Sequence, residues 1–232
     1  MSGPLEAIRG GLVVSCQAPP GSPLALTEHM VALARAAAEG GAAGIRAEGA
    51  DDIEAIKDAI GLPLIGLRKR RVAGSEVYIT PELEDARIVA GAGADIVAVD
   101  ATLRARPGGL ETASFLGELV AELAQPVLAD IDCLAAAVAA RNAGAAAVAT
   151  TLSGYTGDDE TPQTPDLELV GRLAAELDCP VVAEGRYATP EAVRNAVDAG
   201  AWAVVVGTAI TDPVALTRSF AAAFERSLDA TR

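Results

Sequence analysis

Gly93-Ala-Asp-Ile-Val-Ala-Val-Asp100, Pro126-Val-Leu-Ala-Asp130, Gly144-Ala-Ala-Ala-Val-Ala-Thr150, Pro180-Val-Val-Ala-Glu184 and Gly200-Ala-Trp-Ala-Val-Val-Val-Gly207 follow one another through the second half of the chain. Two kinds of run alternate, one opened by Pro and one by Gly-Ala. Each is short, continuous and apolar, as a strand buried on both faces must be. Each Gly follows an Ala-rich amphipathic stretch, which suits a left-handed helix C-cap. The pattern extends backwards to Pro63-Leu-Ile-Gly-Leu67, Gly41-Ala-Ala-Gly-Ile-Arg46 and Gly11-Leu-Val-Val-Ser-Cys-Gln17, giving eight strands. Helical periodicity falls between them, over 27–40, 50–60, 81–92, 110–124, 133–143, 165–177, 190–199 and 213–228. Pro81, Pro190 and Pro213 sit near helix starts, with Thr80, Thr189 and Asp212 expected as N-caps. Eight successive β-α units with parallel strands make a (β/α)8 TIM barrel. An open doubly wound sheet fits less well, because no GxGxxG follows the first strand.

The chain has 232 residues, enough for one sizeable core, and 51% of them are hydrophobic, which excludes a disordered chain. No linker rich in Ser or Pro divides it, so 1–232 reads as a single barrel domain. The net charge is −14, so the global field repels nucleic-acid backbones and anionic membranes. Aromatics are 3% of the chain, too few for a base-stacking platform. A single histidine, His29, and three cysteines without CxxC spacing argue against a metal site and for a reducing compartment. No apolar run reaches the roughly 20 residues of a membrane span. The N-terminus lacks the order of a signal peptide, so a cytoplasmic location is expected.

Chemistry in this fold sits at the C-terminal ends of the strands. The apolar runs end in Gln17, Arg46, Lys69, Asp100, Asp130, Thr150-Thr151, Glu184 and Gly207-Thr208. Alternation along the third strand turns Lys69 inward with Ile65 and Leu67, and Arg68 outward to the helices. A lysine at an apolar mouth loses solvation, which makes it a usable base. The run Arg68-Lys69-Arg70-Arg71 equally reads as a solvated loop. Glu184 is either the acid/base partner of that lysine or a salt-bridge partner of an arginine. Arg46 reads as a ligand-binding or carboxylate-pairing residue. Asp100 and Asp130 fix loops or contact a ligand. Cys16 faces the helices as a small buried hydrophobe. Glu184-Gly185-Arg186 and Gly207-Thr208 occupy the seventh and eighth strand ends, where a phosphate commonly binds in such barrels.

The chain resembles the N-acetylmannosamine-6-phosphate 2-epimerases over nearly its whole length. The resemblance rests on Ser15-Cys-Gln17, Gly44-Ile-Arg46-Ala, Leu67-Arg-Lys69-Arg, Tyr78-Ile-Thr80-Pro, Thr150-Thr-Leu-Ser-Gly-Tyr155-Thr, Ala183-Glu184-Gly-Arg and Val206-Gly-Thr-Ala-Ile-Thr211. It implies interconversion of N-acetylmannosamine 6-phosphate and N-acetylglucosamine 6-phosphate, a step of amino-sugar and sialic acid catabolism. It implies Lys69 and Glu184 as the acid/base pair. It implies Gln17, Arg46, Asp130, Thr151, Ser153 and Tyr155 as substrate contacts; the position of Gly185, Arg186, Gly207 and Thr208 after the seventh and eighth strands makes them the expected phosphate site. No metal or organic cofactor is implied. The partner is a small phosphosugar, and barrels of this kind often form homodimers.

The chain departs from the family pattern at three places. Asp212 stands where an arginine is usual, Arg68 where an apolar residue is usual, and Leu103 and Ala105 where cations are common. A Schiff-base lyase using Lys69, or a non-catalytic phosphosugar binder, would share the same barrel.

Overall fold

The computed structural model of the chain describes residues 3–157 and 160–229. Its strands are β1 (Leu12–Cys16), β2 (Gly44–Glu48), β3 (Leu64–Leu67), β4 (Ile96–Asp100), β5 (Val127–Asp130), β6 (Ala147–Ala149), β7 (Val181–Glu184) and β8 (Ala203–Val206). All pair in parallel and in chain order, and β8 pairs back with β1 to close a barrel. The helices between them are α2 (Thr27–Glu39), α3 (Ala50–Ala59), α4 (Leu83–Gly91), α5 (Thr112–Glu122), α6 (Leu134–Asn142), α7 (Leu167–Glu176), α8 (Pro190–Asp198) and α10 (Pro213–Asp229). These are the eight strands and helices that the spacing requires, so the architecture is a (β/α)8 barrel.

Alternation divides the apolar residues into two layers. Val14, Cys16, Ile45, Leu64, Val97, Ala129, Val148, Ala183 and Val204 face outward and pack against the helices. Val13, Ile65, Leu67, Ala98, Leu128, Ala149, Val182 and Val205 face inward and fill the barrel. The same phase carries the inner row upward to Gln17, Arg46, Lys69, Asp100, Asp130, Thr151 and Glu184. The strand-end polar side chains therefore stand on an apolar floor.

Two short helices were not foreshadowed by periodicity. The N-terminal α1 (Pro4–Ala7) closes the bottom of the barrel, and the following Ile8 is wholly buried in the inner cluster. The Trp202 indole N–H donates to the Leu5 carbonyl at 2.8 Å, and Arg9 stacks 4.5 Å from that ring. Gly44 makes room for the plug, since a Cβ there would stand 2.9 Å from Ile8 Cγ2. At the other end, α9 (Thr208–Thr211) follows β8 directly.

The expected N-caps divide. The Thr189 hydroxyl accepts from the Ala192 N–H, and Asp212 Oδ1 accepts from the Ala215 N–H at 3.0 Å. Thr80 is not a cap. The fourth helix begins at Leu83, with Glu82 at the N-cap position and Asp85 reaching back to the Glu82 N–H. Thr80 instead donates its hydroxyl to the Ala98 carbonyl at 2.7 Å and accepts from the Arg68 N–H at 3.1 Å. Those bonds hold it between the ends of β3 and β4, at a positive φ of 47°.

Candidate active site

Arg46 decides the geometry of the mouth. Its side chain is 1% exposed and lies among β2, β5 and β7. Nη1 and Nη2 donate to Asp130 Oδ1 and Oδ2 at 3.0 and 2.6 Å, a bidentate pair. Nη1 also donates to Glu184 Oε2 at 2.8 Å. The Thr151 hydroxyl, from the end of β6, lies 2.6 Å from Asp130 Oδ1 and 3.2 Å from Glu184 Oε2. Four strand-end residues thus form one buried network with two carboxylates around one guanidinium. Burial opposes the charge on Arg46, but the adjacent Asp130 and Glu184 carboxylates outweigh it and raise its pKa.

Glu184 is the less satisfied carboxylate. Burial pushes its pKa up; Arg46 pulls the other way, and Asp130 adds like-charge repulsion. Its backbone is fixed by Thr150, whose hydroxyl accepts from the Glu184 N–H and donates to the Glu184 carbonyl. Gly185 follows at φ 110°, a conformation that side chains rarely adopt, and turns the chain off the strand.

Lys69 stands at the rim. The residue keeps solvent access, yet protein surrounds it closely. That crowding lowers its pKa first, and the Arg46 charge lowers it further, against the pull of Glu48, Glu184 and Asp130. Its N–H donates to Glu48 Oε1 at 3.1 Å. Arg68 points to the helix layer, where Nη1 meets Asp85 Oδ1 at 3.0 Å.

Gln17 donates from Nε2 to Ser15 Oγ at 3.0 Å, while its buried Oε1 has no partner. Arg46 Nε is also unpartnered. Unmade hydrogen bonds on buried groups are costly, and a polar ligand would satisfy them.

The remaining expected contacts form a second group beside β7. Arg186 donates to the Thr164 and Ser153 carbonyls, both at 2.6 Å, and lies over the Tyr155 ring at 5.0 Å. Ser153 Oγ lies 2.6 Å from Asp166 Oδ2, so its hydroxyl is engaged at the start of α7. Arg186 therefore fastens the β6–α7 loop. Gly207 and Thr208 sit beyond β8, with Gly207 against Ser15. Asp212 caps α10. Past β4, Arg104 Nη2 pairs with Asp100 Oδ2 at 2.7 Å. Arg106 is buried over the Phe115 ring and donates to the Asp100 and Pro81 carbonyls; burial pushes its pKa down to about 10.

Glu48 and Tyr78 are not among the site residues expected from the sequence, although Tyr78 opens one of the motifs that carry the resemblance. Glu48 lies two residues past Arg46 on one strand, so period-two counting would have found it. Tyr78 arrives from the β3–α4 loop, and burial raises its pKa, with Asp130 and Asp100 adding to the rise. No sequence signal places it there. Among the described residues, no group of three or more His, Cys, Asp or Glu side chains is placed to hold a metal ion. No helix among them is long and apolar enough to cross a membrane.

The family model described as "Putative N-acetylmannosamine-6-phosphate epimerase" matches residues 30–226. The chain belongs to this epimerase family. A relative from Caldanaerobacter subterraneus, named "Putative N-acetylmannosamine-6-phosphate 2-epimerase", is 46% identical over 217 residues, covering 93% of this chain and 92% of the relative. A relative of the same name from Synechococcus elongatus is 48% identical over 209 residues, covering 89% and 90%. The solved N-acetylmannosamine-6-phosphate 2-epimerase from Clostridium perfringens superposes with a TM-score of 0.89 at 39% identity, covering 94% of each chain. Within the epimerase family frame, the network of Arg46, Asp130, Thr151 and Glu184 occupies the strand ends where barrel enzymes place their chemistry.

Proposed function

We propose that this chain interconverts N-acetylmannosamine 6-phosphate and N-acetylglucosamine 6-phosphate, acting as a cytoplasmic single-domain isomerase. The observation that carries the reading is the buried Arg46–Asp130–Glu184 network at the strand ends, with Lys69 at the rim near enough for its charge and that of Glu184 to act on each other. Inversion at C2 requires removal of a proton beside a carbonyl. The closed sugar has none, so its ring opens first: a proton leaves the C1 hydroxyl, another reaches O5, and C1 becomes an aldehyde. Lys69 then takes the C2 proton, and the electron pair moves through C1 onto its oxygen as an enolate. A proton returned to the opposite face gives the epimer, with no net change in atoms or charge. Glu184, whose raised pKa favours carrying a proton, serves O5 and the return step. Arg46, itself clamped by Asp130, holds Glu184 and keeps its Nε for the sugar. The 6-phosphate lies toward Gly185, Arg186, Gly207 and Thr208, and Gln17 contacts the polar edge of the sugar.

NMR of the purified protein with N-acetylmannosamine 6-phosphate in deuterium oxide tests the reading. The gluco epimer appears with deuterium at C2. A borohydride-trapped adduct on Lys69, or no turnover, would contradict it.

A further inference from the structure

Asp85, in the first turn of α4, is 1% exposed and carries three ion-pair contacts from the two residues flanking Lys69. Its Oδ1 accepts from Arg68 Nη1 and from Arg70 Nε, both at 3.0 Å. Its Oδ2 accepts from Arg70 Nη2 at 2.7 Å. Glu82 adds a second carboxylate to Arg70. The backbone between the arginines is extended. Lys69 bridges antiparallel to Ile79, the Arg70 N–H donates to the Tyr78 carbonyl at 2.9 Å, and the Thr80 N–H to the Arg68 carbonyl at 2.7 Å. In an extended segment, residues two apart share a side and the one between them faces the other. Binding residues 68 and 70 to the helix layer thus directs residue 69 to the mouth.

We propose that Asp85 is a positioning residue: by tying both neighbours of Lys69 to α4, it sets the direction from which the Lys69 amine enters the barrel mouth. The link to rate rests on the epimerase reading above; the link to the amine's surroundings does not. A buried carboxylate with two guanidiniums is unneeded for a solvated loop, where surface pairs contribute little. Its burial instead gives one geometry to a segment otherwise free to fray.

The chain has two lysines, Lys57 and Lys69, so lysine labelled with carbon-13 gives two side-chain NMR signals, assigned with Lys57→Arg. In Asp85→Asn, removal of a negative charge by itself would lower the Lys69 midpoint. Release of the segment into solvent raises it toward the ordinary value of about 10.4, and that rise is the expected result. With N-acetylmannosamine 6-phosphate, kcat falls by about ten- to a hundredfold while KM changes little. Asp85→Glu recovers part of both. Asp178→Asn, at a surface pair with Arg141, changes neither. If Asp85→Asn does not fold, Arg70→Lys keeps the charge, loses the forked contact and gives the same changes in smaller measure, its added lysine signal being assigned by difference. A folded Asp85→Asn, or Arg70→Lys in its place, with an unchanged or lowered Lys69 midpoint overturns the proposal. A raised midpoint in a chain whose wild type does not epimerise the sugar would uphold the positioning and reject the epimerase reading.

Discussion

Arg46 and Asp130 meet through two parallel hydrogen bonds, 3.0 and 2.6 Å, with side chains 1% and 0% exposed. Taking both charges from water is costly, and the pair is retained because each satisfies the other. Asp130→Ala leaves the guanidinium with Glu184 alone. Its unfolding free energy falls by about 3–5 kcal/mol, measured by urea denaturation. A loss below ~1 kcal/mol would mean that the pair is open to solvent.

The rate profile of the proposed reaction follows from Lys69 and Glu184 above this clamp. In the proposed reaction the active state holds one proton between Lys69 and Glu184. Below the Glu184 pKa both are protonated, and above the Lys69 pKa both are deprotonated. Burial raises the first and lowers the second. The bell in kcat/KM is therefore narrower on both sides than the ordinary values of about 4.3 and 10.4 allow. The residual activity of Glu184→Gln, which needs only a neutral Lys69, lacks the alkaline limb and rises with pH through the Lys69 pKa. Limbs at the ordinary values would contradict the assignment.

The bottom of the barrel sets stability rather than chemistry. Ile8→Ala removes a wholly buried side chain from the inner cluster and costs about 2–5 kcal/mol in denaturant titration. Its KM stays at the wild-type value, because the plug and the mouth lie at opposite ends of the strands.

Asp212, at a position where the resemblance leads one to expect an arginine, caps the last helix. Asp212→Ala loses about 1 kcal/mol in thermal or chemical unfolding. Its kcat/KM for the phosphosugar does not fall, since the carboxylate serves the helix. A large drop in turnover at wild-type stability would place this side chain on the ligand.

The barrel was legible because eight apolar runs repeat with one spacing and alternate with amphipathic helices. The inner phase of Lys69 and the outer phase of Arg68 followed from counting along one strand. The plug escaped because a four-residue helix has no periodicity to read. Thr80 misled because Thr-Pro looks like a helix start, whereas its hydroxyl is taken by Ala98 and its chain by β3 and β4. Strand ends could be named from sequence, but not how they pair. Arg46 binds Asp130 and Glu184, and Arg186 binds loop carbonyls, because those partners lie 84, 138 and 22 to 33 residues away. Only closure of the barrel brings them together.

In the proposed reaction Lys69 moves the C2 proton with Glu184 as its partner. The most direct measurement is deuterium entry at C2 of N-acetylglucosamine 6-phosphate in deuterium oxide, followed by NMR for wild type and Lys69→Met. Wild type is expected to show steady C2 exchange and epimer formation, and a folded Lys69→Met to lose both. Wild-type exchange rates in Lys69→Met would contradict this role.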